Sequence, residues 1–197
     1  MNTLVREARI RLGLPLAFVV AMWLAGAATL LTHGALLAYG IRPRTLIGLW
    51  GILFAPFLHA NLAHLVANTV PFLVLGWLVA LRGQREFLVV TFTVMVLGGG
   101  SVWLLGRPFS DHIGASGVIF GYLGFLLARG VFERSVRSVV LSLVVFFLYG
   151  GTIWGVLPAA NGVSWVSHLF GALAGIVAAR ILTTSKTVTP SASSGWA

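Results

Sequence analysis

The sequence predicts an all-α membrane protein, a single bundle of six membrane-crossing helices. Two observations carry this reading. Hydrophobic residues fill 58% of the 197 positions and charged residues only 9%, with a mean hydropathy of +0.99. A soluble domain of this size needs far more charge to cover its surface. The apolar residues also gather into six runs, at 14–39, 62–81, 87–105, 114–128, 139–157 and 163–182. A helix needs roughly 20 residues to cross the hydrocarbon core, and most of these runs are near that length.

The first run, 14–39, is too long for a signal-peptide core and has no clear cleavage site, so it reads as a retained span. Residues 1–13 before it form a cytoplasmic N-terminal segment. Residues 41–58 are apolar yet broken by Gly48, Gly51 and Pro56, which suits an element lying in the membrane interface. The second run follows His59 and closes at Arg82-Gly83-Gln84-Arg85-Glu86. The third ends at Arg107-Pro108-Phe109-Ser110-Asp111. The fourth opens on Gly114-Ala115-Ser116-Gly117 and is short, so it needs shelter in protein or a start below the surface. Charged residues from Arg129 to Arg137 separate it from the fifth, and Pro158 to Gly162 separate the fifth from the sixth. The Ser- and Thr-rich residues 184–197 predict a disordered cytoplasmic tail. One membrane domain, 14–183, remains, with no internal repeat.

The net charge is +9. The basic residues flank apolar runs and form no patch, so they read as a topology signal and exclude a nucleic-acid partner. With the N-terminus inside, ten basic residues lie inside: Arg6, Arg9, Arg11, Arg82, Arg85, Arg129, Arg134, Arg137, Arg180 and Lys186. Only Arg42, Arg44 and Arg107 lie outside, so both termini are expected in the cytoplasm. Trp50, Trp103, Trp154 and Trp165 then fall near the outer ends, as interfacial aromatics do. There is no cysteine, hence no disulfide framework and no thiolate metal site.

This orientation makes spans two, four and six run inward. His59, His64 and Asn68, Ser116, and His168 then share a depth near the outer face. A serine hydroxyl needs a base before it becomes a good nucleophile. Gly114 and Gly117 allow close backbone approach, and the first turn of a helix offers free N–H groups to a developing oxyanion. Packing alone also accounts for Gly117, Gly121 and Gly124, which form a small-residue stripe. His168 changes the balance, because ionisable residues within spans are costly and usually functional. Gly171, Ala172 and Gly175 share its face, so that face can approach the glycines of span four. Packing would then bring Ser116 and His168 together. His64 and Asn68, spaced i, i+4, can both donate hydrogen bonds; a buried polar pair bonding a neighbouring helix is the plainer alternative. His59 is expected to shape the loop, and His33 and His112 to be interfacial without a catalytic role. No carboxylate lies among the histidines and no His-Glu-x-x-His occurs, so no metal or other cofactor is expected. No acidic residue except Asp111 lies on that side, which favours a Ser-His dyad with His168 held by packing and backbone.

Three motifs together carry a family resemblance: His59-x-x-x-x-His64-x-x-x-Asn68, Gly114-Ala115-Ser116-Gly117, and His168-x-x-Gly171-x-x-x-Gly175. In this order, on helices two, four and six, they resemble the rhomboid intramembrane serine proteases from residue 14 to residue 182. The resemblance implies a rhomboid-like six-helix bundle, with Ser116 as nucleophile and His168 as general base. It implies oxyanion donors at His64, Asn68 and the Ser116 backbone N–H, and close packing at Gly171. It implies an integral, multi-pass protein of a prokaryotic plasma membrane that cuts transmembrane protein substrates near the outer face, at small residues close to helix-weakening ones. Three positions depart from the family pattern. Phe120 stands where a Tyr is frequent, Gly51 follows Trp50 where many members have Arg, and Ala80 replaces a Glu common in span two. Two rivals are a catalytically inactive rhomboid-like protein that binds membrane clients, and a small transporter using His59, His64 and His168 as a proton relay. The intact Ser116 and His168 oppose the first. The absence of polar residues in the inner halves of spans two, four and six opposes the second.

Overall fold

The computed structural model describes residues 3–158 and 164–187. They form an all-α bundle with six helices long and apolar enough to cross a membrane. Helix α1 (Thr3–Leu31) begins well before residue 14 and stops short of the predicted end at Tyr39. His33 and Gly34 take positive φ angles of 49° and 85°. The His33 N–H bonds to the Leu30 carbonyl at 3.1 Å and the Gly34 N–H to that of Thr29 at 2.8 Å. This paired closure satisfies the last carbonyls and ends the helix, and residues Ala35–Tyr39 continue as a separate 3-10 turn.

Helix α2 (Leu46–Phe54) has nine residues, too few to cross a bilayer. The Thr45 hydroxyl caps it by accepting the Gly48 N–H at 3.1 Å. It exposes Leu46, Trp50 and Phe54 and buries Gly48 and Gly51. A Cβ at either glycine would run into the backbone of Arg42 or of Gly40 and Ile41. The glycines that interrupt the apolar run therefore seat α2 on the preceding strand-like segment.

Helix α3 (Leu62–Ala80) is capped by Asn61, whose side chain accepts the His64 N–H at 2.8 Å. Helix α4 (Gln84–Thr93), a π turn (Val94–Gly98) and α5 (Gly99–Leu105) make the third span. Helix α6 (Ser116–Glu133) is the fourth, α7 (Val136–Tyr149) with a 3-10 turn (Gly150–Val156) the fifth, and α8 (Trp165–Thr187) the sixth. Boundaries also shift in the last three spans. The fourth helix starts at Ser116 instead of 114 and runs past 128. The fifth span starts earlier, at Val136, and changes to 3-10 geometry at Gly150. Helix α8 continues beyond 184, and positions 188–197 of the predicted tail lie outside the described residues.

Helix α6 is central, packed on α8, α7 and α3. Phe72, Leu75, Phe87, Tyr122 and Phe125 are fully buried around it. The Tyr122 hydroxyl donates to Thr91 at 2.7 Å, because the Thr91 proton is committed to the Phe87 carbonyl at 2.6 Å. Arg129 is not part of a solvated break, as the sequence suggested; it lies inside α6 at 2% exposure. Glu133 pairs with it one turn on and Glu86 approaches at 3.7 Å. Arg82 closes the cluster, 3.1 Å from Glu86 and 2.6 Å from Glu133. A buried charge persists only when paired in this way.

Candidate active site

The loop leading into α6 is held from several sides. Ile41 and His112 exchange backbone hydrogen bonds at 2.9 and 3.0 Å, and the Gly114 N–H donates to the Ala55 carbonyl at 2.8 Å. His59 Nε2 accepts the Ala115 N–H at 3.5 Å. Its other nitrogen must then carry the proton, and donates to the Phe57 carbonyl at 3.3 Å. Burial, followed by the neighbouring His64, pushes the His59 pKa from 6.5 down to about 4, against the opposing pull of the Phe57 hydrogen bond. The ring is thus a neutral brace between the segment before α3 and the residue before Ser116.

Gly114 has φ +103°, a backbone conformation that other residues reach only under strain. The space a Cβ would take is occupied: His64 Nε2 would lie 2.6 Å from it and Asn68 Nδ2 3.6 Å. The two side chains thus converge on the turn that delivers Ser116. Helix periodicity puts both on one face of α3, and Asn61 fixes the turn that carries His64. Asn68 Nδ2 also donates to the His64 carbonyl at 3.0 Å. Ser116 begins α6. The first hydrogen bond of that helix is donated by Ile119 to the Ala115 carbonyl at 3.0 Å. The amides of Ser116, Gly117 and Val118 precede it and point toward the open end of the helix, where the dipole is positive.

One turn beyond Ser116, Phe120 stacks on His168, with centroids 4.1 Å apart and planes 5° apart. His168 Nδ1–H donates to the Gly155 carbonyl at 2.9 Å. The proton is thereby placed on Nδ1, and Nε2 keeps its lone pair. That atom is buried and has no hydrogen-bond partner among the described residues, the Ser116 hydroxyl included. Glycines bring the two helices this close. A Cβ at Gly171 would strike the Gly117 carbonyl oxygen, one at Gly175 that of Gly121, and one at Gly124 that of Ala172. Gly98 of the π turn lies against Gly171 from the other side.

Asp111 turns away from this cluster and pairs with Arg42 at 2.6 Å, both exposed. His33 is exposed at the end of α1. The His112 ring is buried within the protein, at 7% exposure, where its backbone pairs with Ile41 and its ring meets hydroxyls of Ser110 and Ser164. Burial lowers its pKa, partly opposed by Asp111. Among the described residues, no group of three or more His, Cys, Asp or Glu side chains could hold a metal ion. Sequence reading overlooked five contributors: the Ala55 and Gly155 carbonyls, the Asn61 cap, and Ser164 with Ser167 beside His112. Asn61 and Ser164 had a local signal, a capping residue immediately before an apolar run.

A family model described as a rhomboid domain matches residues 47–185. An uncharacterized protein, Rv1337 of Mycobacterium tuberculosis, is 47% identical over 81% of this chain and 76% of its own length. An uncharacterized protein of Mycobacterium leprae, ML1171, is 46% identical over 81% of this chain and 72% of its own. Rhomboid protease GluP of Bacillus subtilis is 30% identical over 75% of this chain and 29% of its own length.

Proposed function

Because the chain belongs to the rhomboid family, a family of multi-pass membrane proteins that includes intramembrane proteases, we propose that it is a serine endopeptidase acting on transmembrane protein substrates through a Ser116–His168 dyad. The observation that carries this is the convergence of His64 and Asn68 on Gly114, two residues before Ser116. Both side chains can donate hydrogen bonds at that turn, which suits a developing oxyanion.

Ser116 Oγ attacks the scissile carbonyl carbon while His168 Nε2 takes its proton. The Gly155 carbonyl, by holding Nδ1–H, fixes the tautomer that leaves Nε2 free to do so. The imidazolium that forms lies over the Phe120 face, which favours a cation. The carbonyl oxygen becomes an oxyanion that accepts hydrogen bonds from His64, Asn68 and the Ser116 amide. His168 returns the proton to the leaving amine, and water then hydrolyses the acyl-enzyme by the same two steps. The missing Ser116–His168 hydrogen bond is compatible with this, since such bonds often tighten only with substrate present. A cavity of about 40 Å3 is lined in part by Gly114, Gly117, Ile52 and Val102. The basic residues at the opposite end of the bundle support a cytoplasmic location for both termini and an outward-facing site.

Purified protein in liposomes with a transmembrane substrate tests the reading. Ser116→Ala and His168→Ala should each lower cleavage by about a thousandfold or more. Cleavage at wild-type rate by both variants would rule the dyad out, and an inert wild type would favour an inactive client-binding rhomboid.

A further inference from the structure

His112 lies four residues before Ser116 and has no part in the chemistry just described, yet its ring is built into a continuous chain of hydrogen bonds. The Ser110 hydroxyl donates to the Arg107 carbonyl at 2.6 Å. Its oxygen is therefore the acceptor for His112 Nε2–H at 2.8 Å. In the neutral ring this is the Nε2–H tautomer, and Nδ1 accepts. It does so from the Ser164 hydroxyl at 2.5 Å. The Ser164 oxygen in turn accepts the Ser167 hydroxyl at 2.7 Å and the Ser167 N–H at 3.3 Å. With the ring neutral, each hydroxyl proton is used once and every donor points the same way.

The chain joins the two segments that carry Ser116 and His168. Ser164 caps the first turn of α8, where its carbonyl also accepts the His168 N–H at 3.2 Å, and Ser167 immediately precedes His168. At the other end, backbone pairing with Ile41, the Gly114–Ala55 bond and the Arg42–Asp111 pair anchor the loop. The ring adds a link from that loop, through Ser110, to α8, through Ser164. Building on the protease reading above, we infer that neutral His112 is a positioning residue that sets the first turn of α8, and with it the His168 ring, against the loop bearing Ser116.

The full chain in liposomes is assayed as wild type, His112→Ala, Ser164→Ala, Ser164→Thr and the double alanine variant. His112→Ala and Ser164→Ala should each lower kcat about tenfold or more with KM little changed, as misplacement of a base does. Threonine at 164 keeps the hydroxyl and should restore most of kcat. The double variant should be no worse than the worse single one, because both break one chain. Single variants at wild-type kcat, losses confined to KM, or threonine as damaging as alanine would overturn the assignment. Nitrogen NMR of the His112 ring should show Nε2–H; an Nδ1–H ring would overturn it independently of activity. A wild type that neither cleaves substrate nor reacts with a fluorophosphonate would instead sink the protease reading, and the role of His112 with it.

Discussion

His59 shows how much of this site depends on the protonation of single rings. The folded chain resists protonating it down to about pH 4, whereas an unfolded chain takes up that proton near the ordinary value of 6.5. Between those values the unfolded state binds more protons, so stability is complete above the window and drains away as pH falls through it. The loss reaches up to about 3 kcal/mol, less what solvent screening removes. Thermal unfolding followed from pH 7 to pH 4 should show this decline, and His59→Gln should flatten it. At the proposed oxyanion site, His64→Ala and Asn68→Ala should each reduce kcat by roughly a hundredfold with little change in KM, measured by steady-state cleavage. His64, Asn68, Ser116 and His168 were legible in the sequence because side chains of that chemistry are costly within apolar runs. The Gly155 and Ala55 carbonyls were not legible, since every residue has one and only the tertiary fold selects them. The burial of His112 was not legible for a related reason. Its burial depends on pairing with Ile41, distant in sequence, and on serines that open α8.

Among the elements, the seam between α6 and α8 decides whether the catalytic reading is possible. Gly117, Gly121 and Gly124 face Gly171, Ala172 and Gly175 so closely that a single methyl meets a carbonyl oxygen. Without a hydrophobic drive between helices in lipid, such close small-residue contact is what holds spans together. Gly171→Ala and Gly175→Ala should each lower stability by about 1–3 kcal/mol, the usual cost of overpacking, and cut activity as the helices part. Thermal denaturation in detergent alongside the cleavage assay checks both effects. An alanine variant as stable and active as wild type would mean the seam is looser than the backbone indicates. The stripe was readable from glycine spacing alone. The ends of the helices were less so, because the stop after Leu31 depends on left-handed conformations at His33 and Gly34, with apolar residues resuming at Ala35.

The whole molecule keeps its polar chemistry at two ends of an apolar bundle. One end gathers His59, His64, Asn68, Ser116 and His168. The other gathers Arg82, Glu86, Arg129 and Glu133, with Ser138 donating to Glu133. This second cluster locks α4, α6 and α7 together, and it was read from sequence only as loop charge. Removing one partner strands the others, so Arg129→Ala should cost about 3–5 kcal/mol in thermal unfolding. The fraction that remains folded should keep its kcat, since the cluster is remote from Ser116. Every step of the proposed chemistry passes through one oxygen, Ser116 Oγ. Fluorophosphonate treatment of the full-length protein in liposomes, followed by peptide mapping, addresses that atom directly. The adduct should fall on Ser116, disappear in Ser116→Ala and form far more slowly in His168→Ala; an adduct on another residue, or labelling that survives Ser116→Ala, would contradict the account.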